Sequence, residues 1–274
     1  MDCVSIPFLS IKRSFNNPQW GLQMISNIKD LTFKKNNLKV KFHFDRLHCH
    51  DEAGGWGNAE PYMWTVFFKI DGTTCRLNDS LMLEGTATIF TSPGNYGHLA
   101  DSDVDAGDTM PIPSTIGLKE MTLIPIPVPD TVKKTGIGDI PAFAGCIVVL
   151  MEGDRTKAGF QAFDANIQKA LNSLIPTLGF AKKDISEEDI RSLTGKIQVK
   201  IEDAIKNQQH LLENFQSWIN ADNTIGTAAF NFSGDQLLAH KLTSLNERWI
   251  NDNGDWELFG SVNAIEQPSC SERV

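Results

Sequence analysis

From Leu38 to Asp45 the chain alternates with a period of two, in a strand expected to run to about Cys49. Leu38, Val40, Phe42 and Phe44 stand against Lys39, Lys41, His43 and Asp45. Only an extended strand sends successive side chains to opposite faces, so this segment predicts a strand with one covered and one open face. A turn-rich stretch, Asp51 to Asn58 with Gly54, Gly55 and Gly57, leads into Tyr62 to Ile70, whose aromatic and β-branched content predicts a buried strand. Asp71-Gly72 closes that strand with a turn signal. Further strands are expected at Leu81 to Phe90 and at Leu118 to Ile126, where Pro125, Pro127 and Pro129 blunt an edge or begin a loop. Cys146 to Met151 is an unbroken apolar run of core-strand length. No helical pattern separates the early strands, which favours antiparallel sheets over βαβ units.

At about Phe163 the period changes. Ile167, Leu171, Leu174 and Ile175 recur at helical spacing until Pro176 and Gly179. A second helix is expected to start at Ser186, with Asp189 three residues on in a capping-box-like pair and Glu187 and Glu188 placed well for the helix N-terminus. Its stripe, Ile190, Leu193, Ile197, Ile201, Ile205, Leu212, Phe215 and Ile219, keeps to one face, as core packing requires and as partner- or membrane-binding helices also do. Both signs of charge on the other face argue against a cationic membrane helix. Strand signals return after Asn223, at Ile225 to Phe232 and Arg248 to Ile250, and again from Trp256 to Val262 with a hairpin at Asn253-Gly254. The expected class is α+β, mainly β. It is an antiparallel β-sandwich with an inserted or capping pair of long helices, divided into a sandwich core at 1–160, a helical insertion at 161–222 and completing or flanking strands at 223–274.

The 274 residues can bury a real core, and a net charge of −9 would repel a phosphate backbone, so nucleic acid is not an expected partner. The short basic pairs Lys34-Lys35 and Lys182-Lys183 read as solvated surface. The first residues show no cationic start followed by an apolar run of signal-peptide length, and no stretch approaches the roughly 18 apolar residues of a membrane span. Cytoplasmic synthesis is expected, with non-classical export left open. Cys3, Cys49, Cys75, Cys146 and Cys270 are scattered and form no C-x-x-C, which predicts mostly buried thiols in place of a disulfide framework or zinc ribbon.

Acid-rich turns carry the strongest chemical signal. Asp51, Glu52 and Glu60 flank the glycine-rich bend between two predicted strands, Asp101, Asp103, Asp105 and Asp108 crowd a second loop, and Glu152 and Asp154 follow the core strand. Carboxylates this dense repel one another unless solvated or neutralised, and a hard cation such as calcium gathers six to eight oxygens at about 2.3–2.6 Å. The second cluster has neither the Gly at its sixth position nor the Glu at its twelfth, where Ile112 sits, so it is not an EF-hand.

The bend Asp51 to Tyr62 resembles the first calcium loop of C2 domains, with Asp51 at the opening ligand and Glu60-Pro61-Tyr62 in place of the Asp-Pro-Tyr that enters the next strand. That resemblance implies a C2-like sandwich whose strand-end loops bind calcium and so associate with a membrane surface or a protein partner.

His48 and His50 offer a competing site. In a strand their imidazoles share one face with Cys49 on the other, a way to begin a zinc site, with His98 or Glu60 as third ligand. Gly-x-Ser-x-Gly, the P-loop, Gly-x-Gly-x-x-Gly and His-Glu-x-x-His are absent. Trp56, Tyr62, Trp64 and Tyr96 read as core plugs or as a stacking surface beside the loops. The leading expectation is a non-enzymatic, calcium-dependent binding module. The alternatives are a zinc-dependent hydrolase using His48 and His50, or a toxin or pore-forming component whose long helices rearrange.

Overall fold

A computed structural model describes residues 36–52, 59–91, 97–99, 104–152, 157–180, 185–215 and 224–267, with helix side chains described for 160–180 and 185–204. In chain order the elements are β1 (Asn37–Asp51), β2 (Pro61–Ile70), β3 (Cys75–Leu77), β4 (Leu83–Gly85), β5 (Thr88–Thr91), β6 (Thr109–Pro111), α1 (Ser114–Gly117), β7 (Leu118–Leu123), α2 (Asp130–Lys133) and β8 (Phe143–Glu152). There follow α3 (Lys157–Leu174), a 3-10 turn (Ile175–Thr177), α4 (Glu187–Phe215), β9 (Thr224–Ser233), α5 (Gly234–Ala239), β10 (Leu242–Ser244), β11 (Glu247–Asn251) and β12 (Gly254–Gln267). The molecule is α+β and mainly antiparallel β.

Two sheets organise it. In the outer sheet the long strands β1 and β12 lie side by side from Asn37↔Gln267 to Asp51↔Asp255. β6 and β7 pair the free edge of β1, while β10 and β11 pair that of β12. A bulge between Phe44 and Arg46 inserts one residue into β1. Because side-chain direction alternates, one extra residue reverses the parity. Leu38, Val40, Phe42 and Phe44 point inward before it, Leu47 and Cys49 after it, which leaves His48 and His50 on the open face.

The middle sheet runs β5-β2-β8-β9. Every residue of β2 and all but the last of β8 are buried, because both faces are covered. Met63, Phe67, Ala144, Cys146, Val148 and Leu150 meet the inward residues of the outer sheet, with Phe42 and Phe67 rings 5.8 Å apart. The alternate residues Trp64, Val66, Phe68, Ile147 and Val149 meet α3 and α4, where Trp64 lies 5.5 Å from Phe160 and 5.9 Å from Phe163. Tyr62 and Trp64 are therefore core residues and not a stacking surface, while Trp56 and Tyr96 lie outside the described residues. Within α4, Ile190, Leu193, Ile197 and Ile201 are buried against this layer, so that part of the stripe is core. The side chains of Ile205, Leu212 and Phe215, and Ile219 altogether, fall outside the described set.

Three expectations change. The single strand at Leu81 to Phe90 is two strands in different sheets, β4 paired with β3 and β5 with β2. Gly85, at φ 126°, turns the chain between them, and an added Cβ would collide with the Thr74 carbonyl. The first helix starts at Lys157, before Phe163. The strand expected at Leu118 to Ile126 ends at Leu123, ahead of the prolines, and Ile126 keeps only a bridge to Ile140. At Ser186 the predicted cap forms: its backbone N–H and its hydroxyl donate to Asp189 Oδ2 at 2.8 and 2.6 Å, and its oxygen accepts from Asp189 N–H at 3.3 Å. Cys49, Cys75 and Cys146 are free and buried. Cys3 and Cys270, like the basic pairs Lys34-Lys35 and Lys182-Lys183, lie outside the described residues.

Where β2 ends, a buried ion pair ties the two sheets. Lys69 Nζ donates to Asp71 Oδ2 at 2.7 Å, to Thr73 Oγ1 at 2.9 Å and to the Thr122 carbonyl of β7 at 3.0 Å, which uses all three ammonium hydrogens. Asp71, fully buried, also accepts the backbone N–H groups of Thr73 and Ile124 at 3.1 Å each. The expected Asp71-Gly72 turn is real, and its carboxylate is the reason it holds.

Candidate functional site

The acid-rich turns converge on the end of β1. The Cys49 carbonyl accepts from Gly107 N–H at 2.7 Å and Cys49 N–H donates to the Asp108 carbonyl at 2.9 Å, so the turn 105–108 is clamped to the strand that delivers Asp51 and Glu52. One residue earlier, Val104 bridges Ala59, which brings the approach to β2 and Glu60 to the same end. Glu152, the last residue of β8, stands beside it, because its neighbour in register is Pro61.

The electrostatic consequence is visible at Cys49. Burial pushes its thiol up to about 12, and the charges of Glu52, Asp51 and Asp108 push in the same direction. A thiolate here would sit inside a negative field, so Cys49 is no nucleophile. Asp108 spends one carboxylate oxygen on its own turn, accepting Asp105 N–H at 3.0 Å. Glu52 differs: its Oε2 is buried and has no hydrogen-bond partner among the described residues. An ionised oxygen withdrawn from water costs free energy until a donor or a cation faces it.

Of the predicted ligands, Asp51, Glu52, Glu60, Asp105, Asp108 and Glu152 are thus drawn to one end, while Asp101, Asp103 and Asp154 lie outside the described residues. Among the described residues no three His, Cys, Asp or Glu side chains are arranged to hold a metal ion as they stand.

Beside this end, on the open face of the outer sheet, His48 and His50 stand edge to face with ring centroids 4.3 Å apart. His48 Nδ1 lies 2.8 Å from Thr109 Oγ1, and His50 Nε2 lies 2.9 Å from Glu257 Oε2. The carboxylate at the histidines is therefore Glu257 of β12. His98 instead stands edge to face with Tyr62, 4.9 Å between rings, and forms a backbone bridge to it beside the other sheet. Glu257 was invisible in the sequence because only the β1–β12 register sets it opposite His48. Next to it Arg248 clasps Asp255 with both arms, Nε to Oδ1 at 2.7 Å and Nη2 to Oδ2 at 2.6 Å. Those hydrogen bonds hold the Asp255 carboxyl below the usual range, with His50 and His48 adding to the effect.

No family model matches the chain, and no curated protein or solved structure matches it. The class the molecule defines is thus read from its own architecture: two antiparallel sheets sharing one core, with helices on the second face of the middle sheet. Among the described residues no helix is long and apolar enough to cross a membrane.

Proposed function

We propose that this chain is a non-enzymatic binding module built on a C2-like β-sandwich, in which calcium at the acidic end organises a surface for association with an anionic membrane or an acidic protein partner. The observation that carries this reading is Glu52 Oε2, buried without a hydrogen-bond partner among the described residues beside Asp51 and Asp108. A hard cation supplies the missing contact, and the carboxylates of Asp51, Asp105, Asp108 and Glu152 are the further described oxygens at this end. Neutralising this end replaces a repulsive rim by one that an anionic surface can approach.

Thermal melting with calcium in excess and with a chelator tests the binding step. Ions that bind only the native state raise its melting temperature by mass action. The expected result is a calcium-dependent rise that Glu52→Gln diminishes; an unmoved curve removes the cation from the reading. Pelleting with phosphatidylserine vesicles then tests the association step, expected with calcium and absent with chelator.

A zinc reading has one observation in its favour, the His48–His50 pair with Glu257 within 2.9 Å of His50. A rise in melting temperature with zinc and none with calcium, lost in His50→Ala, would replace the calcium site by that one.

A further inference from the structure

Along one flank of α3, Asp164, Gln168 and Asn172 are spaced by four and form a row of polar side chains beside the approach to β5. Two rungs of that row are locked. Gln168 Nε2 donates to the Ala87 carbonyl at 2.8 Å and Ala87 N–H donates to Asn172 Oδ1 at 2.9 Å, while Gln168 Nε2 also reaches Asn172 Oδ1 at 3.2 Å. The third rung is not locked. Asp164 Oδ1 is buried and has no hydrogen-bond partner among the described residues. A helix docked beside the sheet by two amide side chains thus carries, one turn along, a buried carboxylate oxygen with no donor among the described residues.

Among the described residues the surroundings offer no relief. β5 (Thr88–Thr91) and the 3-10 turn (Ile175–Thr177) contain no ionisable side chain. From α4 the residues in this layer are Ile190, Leu193, Ile197 and Ile201, and from β2 they are aromatic or aliphatic, Tyr62 being the titratable one. No described charged group is hydrogen-bonded to or ion-paired with Asp164. Burial alone accordingly raises its carboxyl above the ordinary range.

We propose that Asp164 is a proton-operated latch, by which α3 holds the middle sheet tightly when this carboxyl is protonated and loosely when it is ionised. The ionised form keeps a charge whose Oδ1 is withdrawn from water, whereas the protonated form removes the charge and gains a donor. In the folded chain the carboxyl binds its proton more tightly than in the unfolded chain. Docking therefore gains on acidification. The gain is complete below the carboxyl range of the unfolded chain and is lost as pH rises through the raised folded value. Global melting would blur this, because Glu84, Glu120 and Asp255 are held below the usual range by Arg76, Lys39 and Arg248 and lose their contribution on acidification.

The test is local. Amide hydrogen exchange, corrected for intrinsic rates, is followed from about pH 7.5 to about pH 3, below the carboxyl range of the unfolded chain, in the full chain. Protection in α3 is expected to rise relative to β8, by on the order of tenfold for each unit by which burial raises the carboxyl. Asp164→Asn keeps the shape and removes the proton, so its α3 should be independent of pH over that interval. An α3 whose protection is flat in the wild type, or equally pH-dependent in Asp164→Asn, overturns the latch. Should that variant not fold, a carboxyl carbon titration of wild-type Asp164 decides: a raised midpoint supports the latch and an ordinary one overturns it.

Discussion

The two faces of the middle sheet solve the same problem differently. Towards the outer sheet, the interface is aromatic, with Phe42, Phe44, Phe67, Phe230 and Phe232 meeting at 5.8–6.4 Å, and its buried charges, Lys69 and Asp71, satisfy each other and the backbone around them. Towards the helices, the apolar packing is as complete, yet it leaves Asp164 Oδ1 and, on β9, Asn231 Oδ1 without partners among the described residues. Strands joined by backbone ladders bring donors and acceptors together by repetition. A helix satisfies its backbone internally and must find partners for its flanking polar side chains one at a time. The sheet–sheet face should thus behave as the stable unit and the helical layer as the one that opens first.

The largest blow to that contrast should come from Asp71→Ala. It strands the Lys69 ammonium and the Ile124 and Thr73 N–H groups in the interior, and removing one partner of a buried pair costs about 3–5 kcal/mol. Urea denaturation should show one cooperative transition shifted by that amount, with both sheets affected together. If only the helical signal moves, the pair does not tie the sheets.

Next come paired truncations on opposite faces of one strand. Trp64→Ala and Phe67→Ala should each cost roughly 3–5 kcal/mol of global stability. Exchange should separate them: Trp64→Ala unprotects α3 and α4 with β1 and β12 still protected, while Phe67→Ala weakens protection in both sheets. Identical exchange maps would dissolve the distinction between the faces.

The smallest effect belongs to Ser186→Ala at the start of α4. Losing a cap of this kind costs about 1 kcal/mol. The expected readout is faster exchange confined to the first turn of α4 and a slight fall in melting temperature. A drop as large as that of Trp64→Ala would mean that the helical layer is held chiefly from its end and not by its buried stripe.

Much of this architecture was legible. β1, β2, β8 and β9 follow from period and composition, and the Ser186–Asp189 cap from spacing alone, because such signals arise among neighbouring residues and need no knowledge of the rest of the chain. The segment Leu81 to Phe90 misled because its apolar content fits one strand as well as two, and Gly85 acts by a left-handed turn that only the packing against Thr74 makes necessary. At the candidate site the acidic turns were visible, and so was the shared face of His48 and His50. The carboxylate beside the histidines was not.

By itself the sequence determined the elements that local periodicity dictates, the buried character of β2 and β8, and a surface rich in carboxylates at strand ends. Tertiary structure alone decided which partners those elements meet. Glu257 reaches His50 across 207 residues because the β1–β12 register places it there, Gly107 and Asp108 are drawn to Cys49 by backbone hydrogen bonds, and Lys69 becomes tolerable inside β2 because Asp71 and the Thr122 carbonyl wait for it. The division has a physical cause. Periodicity records which face of an element avoids water, and many different surfaces can satisfy that demand; the choice among them rests on polar groups finding their partners across distances that no local pattern encodes.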